Sequence, residues 1–199
     1  MKVDDVWQHI DEERAWAADL LEGLPEEAWQ RPSLCTGWTV RDVGAHLSFA
    51  HTPVRHLLLP AVRAGFRYDV LVRDTAVRSR LSNAEIVATL RGFVGSRRRV
   101  AFITDLEPLI DILVHNQDIC RPLGIEHAMP PEAAAAAADR VLGTPRPLRR
   151  WAPPRGVRLV ATDAEWAYGT GAEVRRPMQA HLLSLTGRDH AASSVPGPA

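Results

Sequence analysis

The sequence predicts a mainly α-helical protein, a four-helix bundle followed by a small α/β appendage of a hairpin and a helix. Three observations favour this class. Apolar residues recur every three to four positions in several long segments. Two of these segments begin with capping boxes. Segments in which apolar and polar residues alternate, separated by glycines, occur only after Gly143. We therefore expect a bundle over residues 1–143, an α/β domain over residues 144–190 and a disordered tail over residues 191–199.

The bundle helices are predicted from their apolar periodicity and from residues that start or stop a helix. Pro25 ends the first helix, and Thr39 and Ser82 each begin a capping box, with an acidic residue three positions later. Residues 63–81 are typical of a polar connection, and Arg97–Arg99 is expected to face the negative end of the third helix rather than to bind phosphate. The expected helices span residues 3–24, 39–58, 82–100, 105–123 and 130–142.

The segment after Gly143 has a different character. Prolines and glycines mark a linker, and residues 157–162 alternate weakly, as in a short strand. Gly169-Thr170-Gly171 lies between two β-prone segments and is expected to form the turn of a hairpin. Residues 177–185 are expected to form a last helix, closed by Gly187. This pattern predicts the α/β appendage.

Composition argues against several classes of protein. The 199-residue chain has 24 basic and 24 acidic residues, so it lacks the basic excess expected of a nucleic-acid-binding surface. No segment approaches the length of about 20 apolar residues that spans a bilayer, and the N-terminus lacks the apolar region of a signal peptide. Cys35 and Cys120, far apart and outside any CxxC pattern, favour a reducing compartment. We expect a cytoplasmic protein with no membrane or nucleic-acid partner; its oligomeric state is open, with a homodimer as one expectation.

Asp111 and His115 form the most informative pair in the sequence. They lie four positions apart in a predicted helix, so both side chains project from one face and can reach one divalent cation. Such a site needs a further ligand, and His46, on the apolar side of the second helix, is the best candidate. Two imidazoles and one carboxylate leave coordination positions open, as in catalytic zinc sites and open iron sites.

Each of these three residues also has a simpler interpretation. A surface ion pair explains the spacing of Asp111 and His115, and a hydrogen-bonded core histidine explains His46. Two considerations favour the metal. An unpaired Asp111 would be costly to bury in an apolar helix. Facing helices of an antiparallel bundle also converge in the core, where bundle metal sites are built.

Side chains near these motifs are assigned smaller roles. Asp118 has two possible roles. It either orients His115 by contacting the side of its ring that faces away from the metal, or it faces solvent near the end of the helix. Cys35 is a third soft ligand, a reactive thiol or, as we prefer, a small buried residue, and Cys120 is interpreted in the same way. Three residues of the second helix are expected to stay outside the site, two on its polar face and one at a kink: His51, His56 and Pro53.

The segments that carry these residues resemble a known family. LCTGWTVRDVGAHL, residues 34–47, resembles the N-terminal signature of the mycothiol-dependent maleylpyruvate isomerase family, within the DinB/YfiT-like superfamily of helical-bundle metalloenzymes. DILVHNQDI, residues 111–119, resembles the second signature of that family. Residues 159–187 resemble the small C-terminal domain often found with it. The resemblance implies a DinB-like four-helix bundle.

The resemblance also implies a metal site and a reaction. The family's metal ligands carry over to His46, Asp111 and His115, with Asp111 in place of a glutamate, and Asp118 lies behind them in a supporting position. Zinc is the implied metal, although another divalent metal would suit the same donors. Mycothiol is the implied co-substrate and a small-molecule electrophile the implied partner. In the isomerase the metal-held thiolate adds to a cis double bond, the bond rotates and the thiol leaves. We expect an isomerase or thiol S-transferase of this kind.

Two other functions remain open at this stage. One is a metal-dependent hydrolase of the same superfamily, in which a bound hydroxide replaces the thiolate. The other is a non-catalytic stress protein that keeps the bundle and uses its pocket to bind a metal or ligand. The isomerase requires added thiol for activity, whereas the hydrolase does not. The stress protein would bind a metal or ligand but turn over no electrophile.

Overall fold

The structure, a computed structural model, describes residues 1–50, 68–99, 103–145 and 155–188. Within these ranges it confirms a mainly helical protein with a small three-stranded sheet. None of the helices described is both long and apolar enough to cross a membrane. The elements are α1 (Val3–Gly23), α2 (Glu26–Trp29), α3 (Val40–Leu47), α4 (Tyr68–Val77), α5 (Asn83–Phe93), α6 (Leu106–Leu123), α7 (Pro131–Gly143), β1 (Val157–Ala161), β2 (Ala167–Gly169), β3 (Ala172–Arg176) and α8 (Met178–Leu185).

Contacts divide the described chain into two compact units, Lys2–His127 and the residues from Ala128 onward. This division falls earlier than the expected boundary after Gly143. Helix α7 belongs to the second unit because it packs against α8. Four of its alanines are fully buried: Ala133, Ala134, Ala137 and Ala138.

The first unit is a helical bundle built on α1, α3, α5 and α6. Helix α1 packs against α5 and α6, and α3 packs against α4, α5 and α6. The apolar stripes read from the sequence supply this core. Its fully buried members include Ile10, Leu21, Val40, Val43, Ile86, Leu109 and Leu113.

Helices α3 and α5 begin where the capping boxes predict. The Thr39 hydroxyl accepts the Asp42 backbone N–H at 3.2 Å, and the Asp42 carboxylate accepts the Thr39 backbone N–H at 2.9 Å. Helix α3 ends at Leu47, earlier than predicted, because the Ser48 hydroxyl donates to the Ala45 carbonyl at 2.7 Å and a tighter turn follows. The predicted roles of His51, His56 and Pro53, and the tail expected over 191–199, lie outside the described residues.

Two predictions about the arginine-rich segments were wrong. The expected connection over residues 63–81 contains helix α4, which packs against α3; tertiary packing outweighs the polar composition there. Helix α5 ends at Phe93, so Arg97–Arg99 lies beyond its last turn. Arg14 of α1 donates instead to the carbonyl groups of Phe93 and Ser96, at 3.0 and 3.1 Å. A cation from another helix therefore satisfies the C-terminal end of α5.

The second unit contains a sheet of strand order β2-β1-β3 with α8 packed against β1. Strand β1 pairs antiparallel with β2 and parallel with β3. The hairpin therefore joins β1 to β2, and the predicted hairpin turn at Gly169-Thr170-Gly171 was wrong. That segment instead connects β2 to β3, which lie on opposite sides of β1, and it crosses the N-terminal end of β1. There Ala172 donates its backbone N–H to the Gly156 carbonyl at 3.1 Å.

Gly171→Ala is expected to loosen this sheet. A Cβ on Gly171 would lie 2.0 Å from the Gly156 carbonyl oxygen, and the residue has φ of +121°. We expect a local loss of more than about 2 kcal/mol, seen as faster hydrogen exchange of the β1 amides. Gly143→Ala is the control, because a Cβ there meets nothing within 4 Å. Hydrogen-exchange rates in Gly171→Ala equal to those of the wild type would contradict the close contact between Gly171 and the Gly156 backbone.

Candidate metal centre

Three side chains predicted as ligands meet between α3 and α6. His46 Nε2 lies 3.2 Å from Asp111 Oδ1, and His115 Nε2 lies 3.4 Å from the same oxygen. The two imidazole rings are 4.7 Å apart between centroids and are nearly perpendicular. Asp111 is thus flanked by both histidines, as the helical spacing and the apolar stripe of α3 predict.

Buried residues on both helices fix this meeting point. On α6, Ile112 and Leu113 are buried next to Asp111, so the face that carries the polar residues turns toward α3. On α3, Gly44 permits close approach of the helix to the core. A Cβ at Gly44 would lie 3.3 Å from Ile86 and 3.4 Å from Leu21. An alanine there would require these two side chains to shift by a few tenths of an ångström.

The donor set fits a divalent cation. Zinc bonds of about 2.0–2.1 Å in a tetrahedron place neighbouring donor atoms about 3.3 Å apart, close to the 3.2 and 3.4 Å found around Asp111. One donor atom from each of His46, Asp111 and His115 lies within 4.8 Å of the others. The same spacing also suits two hydrogen bonds to Asp111. The cluster is partly open, since the Asp111 side chain keeps 37% of its surface exposed.

Asp118 lies behind His115, on the side away from Asp111. Its Oδ2 is 2.8 Å from His115 Nδ1, and its side chain is completely buried. Burial excludes the solvent-facing interpretation of Asp118. A carboxylate on Nδ1 fixes the ring orientation of a ligating histidine and leaves Nε2 to face the metal.

Cys35 contacts the same carboxylate. Its thiol donates to Asp118 Oδ2 at 3.1 Å, and its sulfur lies 3.8 Å from His115 Nδ1. Cys35, His115 and Asp118 are a second group whose donor atoms are close enough to hold a metal. The expected small buried residue at Cys35 is only half-buried, and it lies beside the histidine that we consider a ligand.

The loop before α3 is attached to α6 at this point. Leu34 donates its backbone N–H to the Asp118 carbonyl at 3.1 Å. Arg31 donates to the Pro122 carbonyl at 2.8 Å. The loop also brings Trp38 beside both imidazoles, with ring centroids 5.6 Å from His46 and 6.5 Å from His115. Trp38 therefore supplies an aromatic surface next to the cluster. No sequence pattern indicated a role for Trp38 in the site, although it lies in the same motif as His46.

The charges of Asp111 and His115 have opposite effects on cation binding. Burial raises the pKa of Asp111, but the adjacent His46 and His115 outweigh it and hold that pKa well below the usual range. Burial likewise lowers the pKa of His115, but hydrogen bonds with Asp111, Asp118 and Cys35 outweigh it and raise that pKa well above the usual range. Asp111 is thus ionised at neutral pH. A divalent cation would compete with the proton on His115, because a ligating imidazole is neutral.

A family model matches the part of the chain that contains the loop and α3 side of this site. The family model described as the mycothiol maleylpyruvate isomerase N-terminal domain matches residues 10–101. Over this range, somewhat less than half of the chain, the sequence is similar to that family. The matched range contains Cys35, Trp38 and His46, and it ends before Asp111 and His115. The resemblance stated from the first motif is confirmed, and the assignment of His46, Asp111 and His115 as metal ligands stays a prediction.

Solved structures of the isomerase share the fold of the whole chain. A crystal structure of the mycothiol-dependent maleylpyruvate isomerase matches with a TM-score of 0.63, and that of a histidine-to-alanine mutant with 0.65. Both matches have 13% identity and cover 100% of this chain and 97% of the other. At this identity the likeness shows the fold. None of the curated proteins gave a significant match.

Proposed function

We propose that His46, Asp111 and His115 bind one divalent metal ion, zinc in the first instance, and that the protein uses it to activate a low-molecular-weight thiol. The observation that carries this proposal is the convergence of three donors on one partly exposed point, in a chain whose residues 10–101 match the model of the mycothiol maleylpyruvate isomerase N-terminal domain. Three protein ligands leave at least one coordination position for an incoming group.

Each residue has a specific task in this proposal. His46 and His115 supply neutral nitrogen donors from two different helices, and Asp111 supplies the negative charge that offsets the cation. Asp118 holds the Nδ1 side of His115, so that Nε2 faces the cation. Zinc bound there would lower the pKa of a coordinated thiol, which then reacts as the thiolate at neutral pH. Trp38 would exclude water from one side of the reacting groups.

We propose mycothiol as the thiol and a small molecule with an electrophilic cis double bond, similar to maleylpyruvate, as the substrate. The sulfur forms a bond to one alkene carbon, and the π electrons move to the adjacent electron-withdrawing group. Rotation about the resulting single bond and departure of the thiolate restore the double bond as trans. No net oxidation occurs and the thiol is regenerated. Thiol S-transfer would use the same activated sulfur with a different leaving group.

The thiol requirement is the test of this function. Zinc-loaded protein is expected to isomerise maleylpyruvate when mycothiol is present and to be inactive when it is omitted, because the attacking sulfur comes from the thiol. Glutathione in place of mycothiol tests the identity of the thiol, and His46→Ala is the matched control. Turnover without any thiol would contradict the proposal and favour the metal hydrolase. Metal binding without turnover of this or related electrophiles would favour a binding protein.

We also propose a cytoplasmic location. Neither of the two cysteines forms a disulfide, which suits a reducing compartment. A low-molecular-weight thiol is kept reduced in such a compartment and is available there as a co-substrate.

A further inference from the structure

We propose that Cys35 is a positioning residue for the metal centre, acting through Asp118 on His115. The inference rests on the proposed function, because it assumes that His115 binds a metal. Its basis is a chain of three side chains. The Cys35 thiol lies 3.1 Å from Asp118 Oδ2, and the same oxygen lies 2.8 Å from His115 Nδ1.

The direction of each hydrogen bond follows from the chemistry of the groups. The Cys35 S–H donates to Asp118 Oδ2, and a carboxylate oxygen accepts hydrogen bonds, so the His115 Nδ1–H donates to the same oxygen. A bound metal would displace the proton from Nε2, which faces Asp111, while Nδ1 keeps its proton toward Asp118. Because Asp118 is fully buried, its orientation depends on its protein partners and not on water.

The backbone around Cys35 holds the thiol in place. Its N–H donates to the Ser33 hydroxyl at 3.2 Å, and its carbonyl accepts the Trp38 N–H at 3.0 Å. The preceding residue, Leu34, donates its N–H to the Asp118 carbonyl. The loop therefore contacts both the backbone and the side chain of Asp118. A thiol fixed in this way can hold the carboxylate in the orientation that His115 needs.

The alternative role is that Cys35 itself binds the metal, because its sulfur also lies near His115 Nδ1. In that arrangement the cation would sit on the Asp118 side of the ring. The geometry favours positioning for two reasons. Nδ1 is already 2.8 Å from Asp118, whereas Nε2 faces the partly exposed Asp111 and His46, where an incoming thiol can reach the metal.

The test compares three variants of the full chain: Cys35→Ala, Cys35→Ser and Cys120→Ala. Zinc affinity is measured by competition with a chromophoric chelator, and thermal unfolding checks each fold. We expect Cys35→Ala to bind zinc at least about tenfold more weakly. Cys35→Ser should stay close to wild type, because its hydroxyl can donate to Asp118. Cys120, whose pKa burial raises to about 11, controls for loss of a buried thiol and should leave the affinity unchanged.

Three results would overturn the positioning role. The first is equal affinity of wild type and Cys35→Ala. The second is an equal loss in Cys35→Ser or Cys120→Ala. The third is a thiolate-to-cobalt charge-transfer band in the cobalt-loaded wild type without added thiol, absent in Cys35→Ala, which would make Cys35 a ligand. The expected order of zinc affinities among the variants is measured by binding and does not require enzyme activity. An inactive protein with the expected ranking would therefore contradict the proposed reaction and still support the role of Cys35, whereas a wild type that binds no zinc would overturn both.

Discussion

His115→Ala is expected to abolish metal binding and to lower the free energy of unfolding by about 2–3 kcal/mol. The imidazole contacts two carboxylates, Asp111 at 3.4 Å and Asp118 at 2.8 Å. Asp118 is completely buried, so removing its imidazole partner leaves a buried carboxylate with poorer compensation. Urea denaturation measures the stability. It is carried out after chelation, because a bound metal stabilises the wild type by mass action.

His46→Ala is the matched control for this prediction. It should lose the metal as completely, yet keep its stability within about 1 kcal/mol of wild type. The reason is that its partner Asp111 is 37% exposed, and water can replace the lost imidazole. Equal destabilisation of the two variants would contradict the different burial of the two carboxylates. Retention of metal by either variant would contradict the proposed ligand set.

Glu13→Ala is expected to destabilise the first unit by about 2–4 kcal/mol. The buried Glu13 carboxylate accepts from Asn116 Nδ2 at 2.7 Å and lies 2.8 Å from His127 Nε2. Trp16 stacks on His127 with ring centroids 3.5 Å apart. Loss of the carboxylate would remove the partner of His127 and leave Asn116 Nδ2 only the Glu13 backbone carbonyl, at 3.2 Å, in a buried site. Within the described part of the chain, Asn116 Oδ1 already lacks a partner.

Urea denaturation with two further variants tests this network. Glu12→Ala removes a carboxylate from the same helix that is 56% exposed, and it should change the stability by less than about 0.5 kcal/mol. Glu13→Gln keeps an oxygen acceptor for Asn116 and should recover part of the loss. A Glu13→Ala variant as stable as Glu12→Ala would show that the buried network contributes nothing.

Helix ends were predictable where a local signal sets them. Thr39 and Ser82 start their helices through hydrogen bonds that span only three residues, and such contacts can be read from the sequence. Gly124, in the left-handed conformation with φ of 73°, ends α6 in the same local way. Helix α4 was missed because its formation depends on packing against α3, which no local pattern reports.

The path of the sheet was not predictable for a similar reason. Gly169-Thr170-Gly171 has the composition of a hairpin turn, and composition alone favours that interpretation. In the structure the two glycines allow close backbone contact instead, because each lies against the backbone of residues 156–157. The division of the chain after His127 likewise depends on which helix α7 contacts, and its alanines carry little information about their partner.

The candidate site was predictable in part. The four-residue spacing places Asp111 and His115 on one face, and the apolar stripe of α3 turns His46 toward them, so the structure brings these three together. Their role as metal ligands stays a prediction. The contact between Cys35 and Asp118 was not predictable, because it joins positions 83 residues apart through a loop without helical periodicity. Helical spacing relates residues within one element, and it does not indicate which loop covers that element.

The metal content of the protein tests the central claim most directly. Protein is purified without added metal or a histidine tag, as wild type and as His46→Ala, and its zinc is quantified. We predict about one zinc ion per chain in the wild type and almost none in the variant. No metal in the wild type, together with failure to bind added zinc, would contradict the metal centre and the thiol chemistry proposed from it.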